Sequence, residues 1–314
     1  MRIVRTILQP PAATRGAAVA IGNFDGVHLG HREVIAAARE AADRMDAPTA
    51  VLTFEPHPRG VLRPGAPFRI TPFRLKARYL AEAGVDVLFV AHFTPAFSRL
   101  DADEFATQVL VNGLSAAHVA VGHDFVFGRG RGGNTAVLDR FARAHGFGLS
   151  VVAPVASPER EAYASRRIRA QLEAGDPAAA AAQLGRWWEI TGIVRHGAAR
   201  GRTLGYPTAN VPLGPILRPR FGVYAVRVRV GDEPHWRPGV ASLGIRPMFD
   251  NGAPLLEAHL FDYSGDLYGR RVCVQMVAFL RPERKFPGLA ELTQAMDVDS
   301  TAARSILATT PVTL

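Results

Sequence analysis

A single cysteine, Cys273, stands in the 314-residue chain. No disulfide can form within the chain, and a cysteine-based metal site is excluded. Cys273 lies in the apolar alternation of residues 272–277 and reads as a buried strand thiol. Lysine is nearly missing as well. Only Lys76 and Lys285 occur, and arginine supplies the rest of 37 cationic residues set against 28 acidic ones. The formal charge of +9 is spread along the chain without a dense basic tail or run. A polyanionic small ligand fits that balance as well as a nucleic acid does, and the latter is kept as a rival reading. No apolar run approaches the roughly 18 residues of a membrane span. The first ten residues place Arg2 and Arg5 among apolar ones and lack a signal peptide's long apolar core. The expectation is a cytoplasmic protein with neither a membrane nor a nucleic-acid partner. With 48% hydrophobic residues, 30 glycines and 23 prolines, the composition is that of an ordered globular chain. Its length suits two domains.

The two halves differ in rhythm. In the first, short apolar runs at 18–22, 50–54, 85–92, 118–122 and 149–155 alternate with helical patterns at 31–45, 72–83, 101–112 and 135–145. Strand, helix, strand at this spacing predicts βαβ units and a parallel sheet covered on both faces. Residues 164–184 read as further helices, broken at Gly175-Asp176-Pro177. After Trp187-Trp188 come period-two runs at 222–230, 255–261 and 272–280, punctuated by Gly and Pro. They predict a compact antiparallel barrel or sandwich, followed by a closing helix over 289–307. The expected division is 1–184 and 185–314.

The segment Gly22-Asn-Phe24-Asp25-Gly-Val-His28-Leu-Gly30-His31 connects the first apolar strand to the first long helix. A loop leaving a parallel strand and opening a helix collects unpaired backbone N–H groups, which suit an anion. Gly22 and Gly30 allow close backbone approach, and His28 and His31, three apart, can turn toward one ligand. Other readings are half of a metal site, for which no further ligand appears nearby, or ordinary helix-start histidines.

This segment resembles the Gly-x-Phe-Asp-x-x-His-x-Gly-His motif of the nucleotidylyltransferase superfamily. Three further blocks narrow the resemblance to the bacterial bifunctional riboflavin kinase/FMN adenylyltransferase (FAD synthetase) family: Thr53-Phe-Glu-Pro-His-Pro58, Val121-Gly-His-Asp124-Phe-Val-Phe127-Gly128 and Tyr163-Ala-Ser165-Arg-Arg-Ile-Arg169. In the last block Ala164 and Arg166 replace small hydroxyl residues. The resemblance implies a Rossmann-like parallel α/β nucleotidylyltransferase domain joining FMN to AMP from ATP. That reaction rests on positioning and charge neutralisation. His28, His31 and Arg169 would supply the positive field. Gly22, Phe24, Asp25, Gly30 and Ser165 would line the nucleotide, and Asp124 would contact the flavin or its phosphate. Asp124 also reads as a turn residue capping local backbone. The Gly128-Arg-Gly-Arg-Gly-Gly133 stretch reads either as a loop over the site or as a short RNA-binding segment.

The second half opens with glycines at 197, 201 and 205, spaced unlike a Walker loop, and then Tyr206-Pro-Thr208-Ala-Asn210. In an extended segment Thr208 and Asn210 share a face and offer two oxygens to a hard cation, or simply form a turn. Gly-Arg-x-Leu-Gly-Tyr-Pro-Thr-Ala-Asn resembles the riboflavin kinase motif, in which the Thr and Asn serve Mg²⁺ and ATP. Gly197, Gly201 and Gly205 would then fold around phosphate. Phe221-Gly-Val-Tyr224, Gly244-Ile-Arg-Pro247 and Arg281-Pro-Glu-Arg-Lys-Phe286 continue the match, with Met248 where the family often has Thr. Alternation puts Glu257 and His259 on one strand face, opposite Leu256, Ala258 and Leu260. Glu257 there is a candidate general base for the ribityl hydroxyl, or a solvent-facing strand residue; His259 reads as structural.

Together the motifs imply an antiparallel β-barrel kinase domain with a C-terminal helix behind the α/β domain. ATP, riboflavin, FMN and FAD would be substrates and products, Mg²⁺ the cation, and flavoenzymes the downstream clients. A second rival is a nucleotidylyltransferase with a barrel that only binds.

Overall fold

The computed structural model describes residues 1–155, 162–197, 205–245 and 253–314. They form two compact units, Met1–Ala66 with Pro72–Ala164, and Pro67–Thr71 with Ser165–Leu314.

The first unit is built on six parallel strands in the order β1-β4-β3-β2-β5-β6: β1 Arg2–Val4, β2 Ala18–Ile21, β3 Thr49–Glu55, β4 Val87–His92, β5 His118–Gly122 and β6 Gly148–Val152. Apart from the three-residue β1, the strands follow the apolar runs, because a parallel sheet buries both faces and needs apolar side chains on each. Val19, Ile21 and Leu52 pack into one core with Phe105, Val109 and Leu138. Ala20, Val51 and Leu88 face the other way, onto Val34, Ile35 and Leu80. Helices α1 Leu29–Met45 and α3 Phe73–Glu82 supply this second layer, with the five-residue α2 Pro58–Leu62 between them in the chain. On the opposite face lie α5 Thr135–His145 and the run 102–113, which is α4 over Ala102–Phe105 and continues as a π-helix over Ala106–Gly113. The chain steps from β2 outward through β3 to β4, then returns to the other side of β2 with β5. That reversal leaves a crevice at the carboxyl ends of β2 and β5, the place where open α/β sheets take their ligands.

The second unit is a six-stranded antiparallel sheet, order β7-β12-β9-β10-β11-β8. Its strands are β7 Trp188–Ile193, β8 Ala209–Pro212, β9 Gly222–Val230, β10 Arg237–Ile245, β11 Pro254–Leu260 and β12 Arg271–Arg281. Register shifts at Met276/Ala278 and Phe279/Arg281 bend β12. Arg195, just past β7, bridges to Asn210 in β8, its N–H donating to the Asn210 carbonyl at 2.9 Å. The sheet is therefore a nearly closed barrel. Gly192 makes the approach possible, since a Cβ there would stand 2.6 Å from Val211 Cγ1. Alternate residues fill the interior, including Val211, Val226, Leu243, Leu256 and Val274. The C-terminal helix Leu289–Thr309 follows the barrel.

Helices α6 Ser165–Ala174 and α7 Pro177–Leu184 pack into this barrel core through Ile168, Leu172, Ala180 and Leu184. The compact units thus divide at Ala164/Ser165, ahead of the expected position at residue 185. The short stretch Pro67–Thr71 joins the same unit by hydrogen bonds from Trp188 Nε1 to the Ile70 carbonyl and from the Leu217 N–H to that of Arg69, both 2.8 Å.

Candidate functional site

In the first unit the candidate site begins where β2 ends. Residues 22–28 turn with positive φ at Phe24 (48°), Gly26 (97°) and Val27 (44°), a conformation that side-chain-bearing residues rarely adopt. The Phe24 and Val27 side chains are fully buried and hold it, and Asp25 is buried beside them. His28 closes the loop as the N-cap of α1: its Nδ1 accepts the His31 N–H at 3.2 Å. The His28 and His31 rings stack at 3.5 Å and 19°, with Phe24 edge-on to His31 at 5.2 Å. The two expected histidines are thus brought together. Gly30 lies between them, where a Cβ would stand 3.3–3.4 Å from the His28 ring and Tyr163. The first turn of α1 carries no acidic side chain, so its amide end stays suited to an anion.

Two β3 residues and one helix residue back this loop. Thr53 Oγ1 donates to the Asn23 carbonyl at 3.1 Å, and Lys76 Nζ donates to the same carbonyl and to Thr53 Oγ1, each at 3.2 Å. Lys76 also pairs with Glu55 at 2.8 Å. Sequence reasoning missed Lys76. The available signal was a lysine on the apolar face of a helix in a chain whose other cations are almost all arginine. At the end of β5, Asp124 is exposed, with its Oδ1 over Gly122, and Phe125 and Phe127 stack at 5.4 Å. Phe54, Phe97 and Phe105 extend this aromatic cluster. Among the described residues no group of three or more His, Cys, Asp or Glu side chains is placed to hold a metal.

In the second unit Thr208 and Asn210 line a cavity of ≈ 500 Å³ with Leu260, Tyr263, Asp266 and Tyr268. Asn210 is buried, and among the described residues its Oδ1 accepts no hydrogen bond. Its amide lies against Gly197, where a Cβ would come within 2.4 Å of Nδ2. A buried neutral oxygen left to accept nothing costs free energy unless a cation or donor occupies its lone pairs. Directly across the β8–β11 ladder from Asn210 stands Glu257, so both side chains leave the same face of the sheet. Leu256, Ala258 and Leu260 turn inward, as the alternation predicts.

Residues 205–210 are held from two sides. His259 Nδ1 lies 2.9 Å from the Pro207 carbonyl, the structural role expected of it. Tyr206 donates its phenol hydrogen to Asp297 of the C-terminal helix. Burial raises the Tyr206 phenol above its ordinary pKa, and the bond to Asp297 adds to the rise. His196 stacks on Tyr268 at 3.8 Å, beside the cavity. Ser165 opens α6, and Arg169 Nε donates to the Phe68 carbonyl at 2.8 Å with its guanidinium over the Phe68 ring; both lie in the second unit. Gly205 has φ of 79°. Gly201 and Met248 lie outside the described residues.

The FAD synthetase family model matches residues 11–167, and the riboflavin kinase family model matches residues 184–307. The bifunctional riboflavin kinase/FMN adenylyltransferase of Haemophilus influenzae is 39% identical over 97% of this chain and 99% of its own. Its counterparts in Escherichia coli K12 and Bacillus subtilis are 38% and 37% identical, over 99% and 91% of this chain and 99% and 90% of theirs. A crystal structure described as a macrolide-efflux protein from Streptococcus pneumoniae shares the fold, with a TM-score of 0.82 and 30% identity over 92% of this chain and 94% of that one. No helix among the described residues is long and apolar enough to cross a membrane. With both family models matched in order and relatives aligned end to end, this chain belongs to the bifunctional riboflavin kinase/FMN adenylyltransferase family.

Proposed function

We propose that the two reactions of the family run at separate sites in this chain. The barrel unit phosphorylates riboflavin with ATP to give FMN and ADP. The α/β unit then joins FMN to AMP from a second ATP, giving FAD and pyrophosphate. The observation that carries this reading is the register that sets Glu257 opposite Asn210, which lines the cavity.

In the kinase reaction Glu257 takes the proton of the ribityl hydroxyl as its oxygen attacks the γ-phosphorus, and the bond to the ADP oxygen breaks. The buried Asn210 Oδ1 and the Thr208 hydroxyl fit a hard cation. Mg²⁺ held there would neutralise charge on the ATP phosphates. In the adenylyl reaction an FMN phosphate oxygen attacks the α-phosphorus of ATP and pyrophosphate departs, with no covalent enzyme intermediate. His28 and His31 donate to the phosphates from the loop, with the helix N-terminus behind them. Gly22, Phe24, Asp25 and Gly30 shape the nucleotide cradle. Asp124 and the Phe125–Phe127 pair receive the flavin. Gly197, Gly201 and Gly205 serve the kinase phosphates. The cytoplasm, where ATP is made, is the setting this reading implies, with flavoenzymes as recipients of the product.

Incubation with riboflavin, ATP and Mg²⁺, followed by chromatographic separation of the flavins, tests the reading. FMN should appear first and FAD after it. If supplied FMN is converted to FAD while riboflavin remains untouched, the barrel only binds.

A further inference from the structure

Lys76 is a cationic side chain only 1% exposed, on a helix face between Leu75, Tyr79 and Leu80. An ammonium is that deep only when its charge and N–H groups are answered. Here a carbonyl, a hydroxyl and a carboxylate converge on it: Asn23 O, Thr53 Oγ1 and Glu55 Oε1. These partners are not scattered. Asn23 is the residue at which the chain enters the positive-φ turn leading to His28, and Thr53 and Glu55 end the neighbouring parallel strand. Two donors, Lys76 Nζ and Thr53 Oγ1, meet on the Asn23 carbonyl.

We propose that Lys76 is a positioning residue for adenylyl transfer: it fixes the start of the 22–28 turn and so the placement of the stacked His28 and His31 rings, without touching the nucleotide. The inference rests on the assignment of that loop to ATP. The chain's preference for arginine makes the choice of lysine informative. A compact ammonium can sit among three partners on different elements, whereas a planar guanidinium needs them spread around its fork. A turn containing Phe24 and Val27 at positive φ is costly to hold, and a bond to its entry carbonyl restricts the alternatives. Misplacing reacting groups by about 1 Å costs on the order of 100-fold in rate.

The test uses the full chain and the variants Lys76→Met, Lys76→Arg and Thr53→Val. Each is assayed for conversion of supplied FMN to FAD and for riboflavin phosphorylation, at a temperature well below its own unfolding transition. Lys76→Met should lower kcat for FAD formation by about 10- to 100-fold, with a smaller change in KM for FMN and riboflavin phosphorylation intact. Lys76→Arg, which keeps the charge but not the shape, should recover only part of the loss. Thr53→Val, the gentler variant should Lys76→Met not fold, should shift kcat in the same direction by a smaller factor. FAD formation within about twofold of the parent in folded Lys76→Met or in Thr53→Val would overturn the proposal. So would full rescue by Lys76→Arg. His28→Ala with His31→Ala, run in parallel, separates the cases: if that pair still makes FAD, the assignment of the loop has failed rather than the role of Lys76.

Discussion

His28 caps α1 by accepting the His31 N–H on Nδ1, which leaves Nε2 as the ring's N–H donor. One side chain therefore has two tasks, holding a helix start and presenting a donor, and the tasks can be separated. Asparagine caps helices as well as any residue but carries no imidazole. His28→Asn should keep the unfolding transition near that of the parent and reduce FAD formation by about 100-fold or more. His28→Ala should show the same kinetic loss and a further loss of about 1 kcal/mol in stability. Both should leave FMN formation from riboflavin intact. Product analysis combined with denaturant titration reads these outcomes, and equal activity of His28→Asn and the parent would remove the imidazole from the reaction.

For the kinase half, Glu257→Gln keeps the side chain's size and its strand position opposite Asn210 while removing the proton acceptor. Riboflavin phosphorylation should slow by about 100-fold or more, and adenylylation of supplied FMN should be unchanged. Near-parent FMN production by this variant would assign Glu257 a packing role only.

The tie between Tyr206 and Asp297 joins the Thr208–Asn210 segment to the C-terminal helix. Tyr206→Phe removes the phenolic hydroxyl that bonds Asp297 and leaves the ring in place. KM for ATP in riboflavin phosphorylation should rise by about 3- to 10-fold, the worth of one such bond, with kcat less affected. Asp297→Asn should act alike, and the double variant should add little to either single change. Additive effects in the double variant would show that the two side chains act independently.

A pH effect on stability follows from His118 in β5. Burial, with Arg44 nearby, lowers its pKa from the usual 6.5, so the unfolded chain takes up this proton more readily than the folded one. Its contribution is neutral above 6.5 and turns destabilising as the pH falls from there toward the depressed folded value. Below that value the loss is complete. Urea unfolding at about pH 7.5 and about pH 5.5 should show a larger drop for the parent than for His118→Asn. The same drop in both would exonerate His118.

Local features of the fold were readable because local physics made them. Continuous apolar runs became parallel strands, buried on both faces in β2 and through most of β3, β4 and β5, and the helical pattern at 135–145 became a helix at those same positions. The loop of His28 was legible because glycine, histidine and strand–helix context fell together in ten residues. What escaped was made by distant partners. Lys76 meets Asn23 and Thr53 only after three elements have packed, and no period in the sequence announces that. The short Pro67–Thr71 stretch carries too few apolar residues to declare that its hydrogen bonds lie with Trp188 and Leu217. Strand β10 carries Pro238 and Gly239 near its start, residues that interrupt an apolar alternation. The glycine is there because the His259 carbonyl passes 2.4 Å from where a Cβ would be. Asp297 gave no signal at all, since an exposed helix aspartate looks the same with or without a tyrosine beneath it.

The bridge that shuts the barrel has a consequence for observing this enzyme at work. Asn210 closes the ring with its main-chain carbonyl and feeds the cavity with its side chain, so seam and ligand share one residue. Any ligand that binds only the assembled cavity draws on the closed population and protects the seam from transient opening. The Arg195 amide, whose hydrogen lies in that seam, is thus a backbone sentinel: the slowing of its exchange with solvent deuterium reports occupancy of the kinase cavity from inside the β-structure, with no label attached.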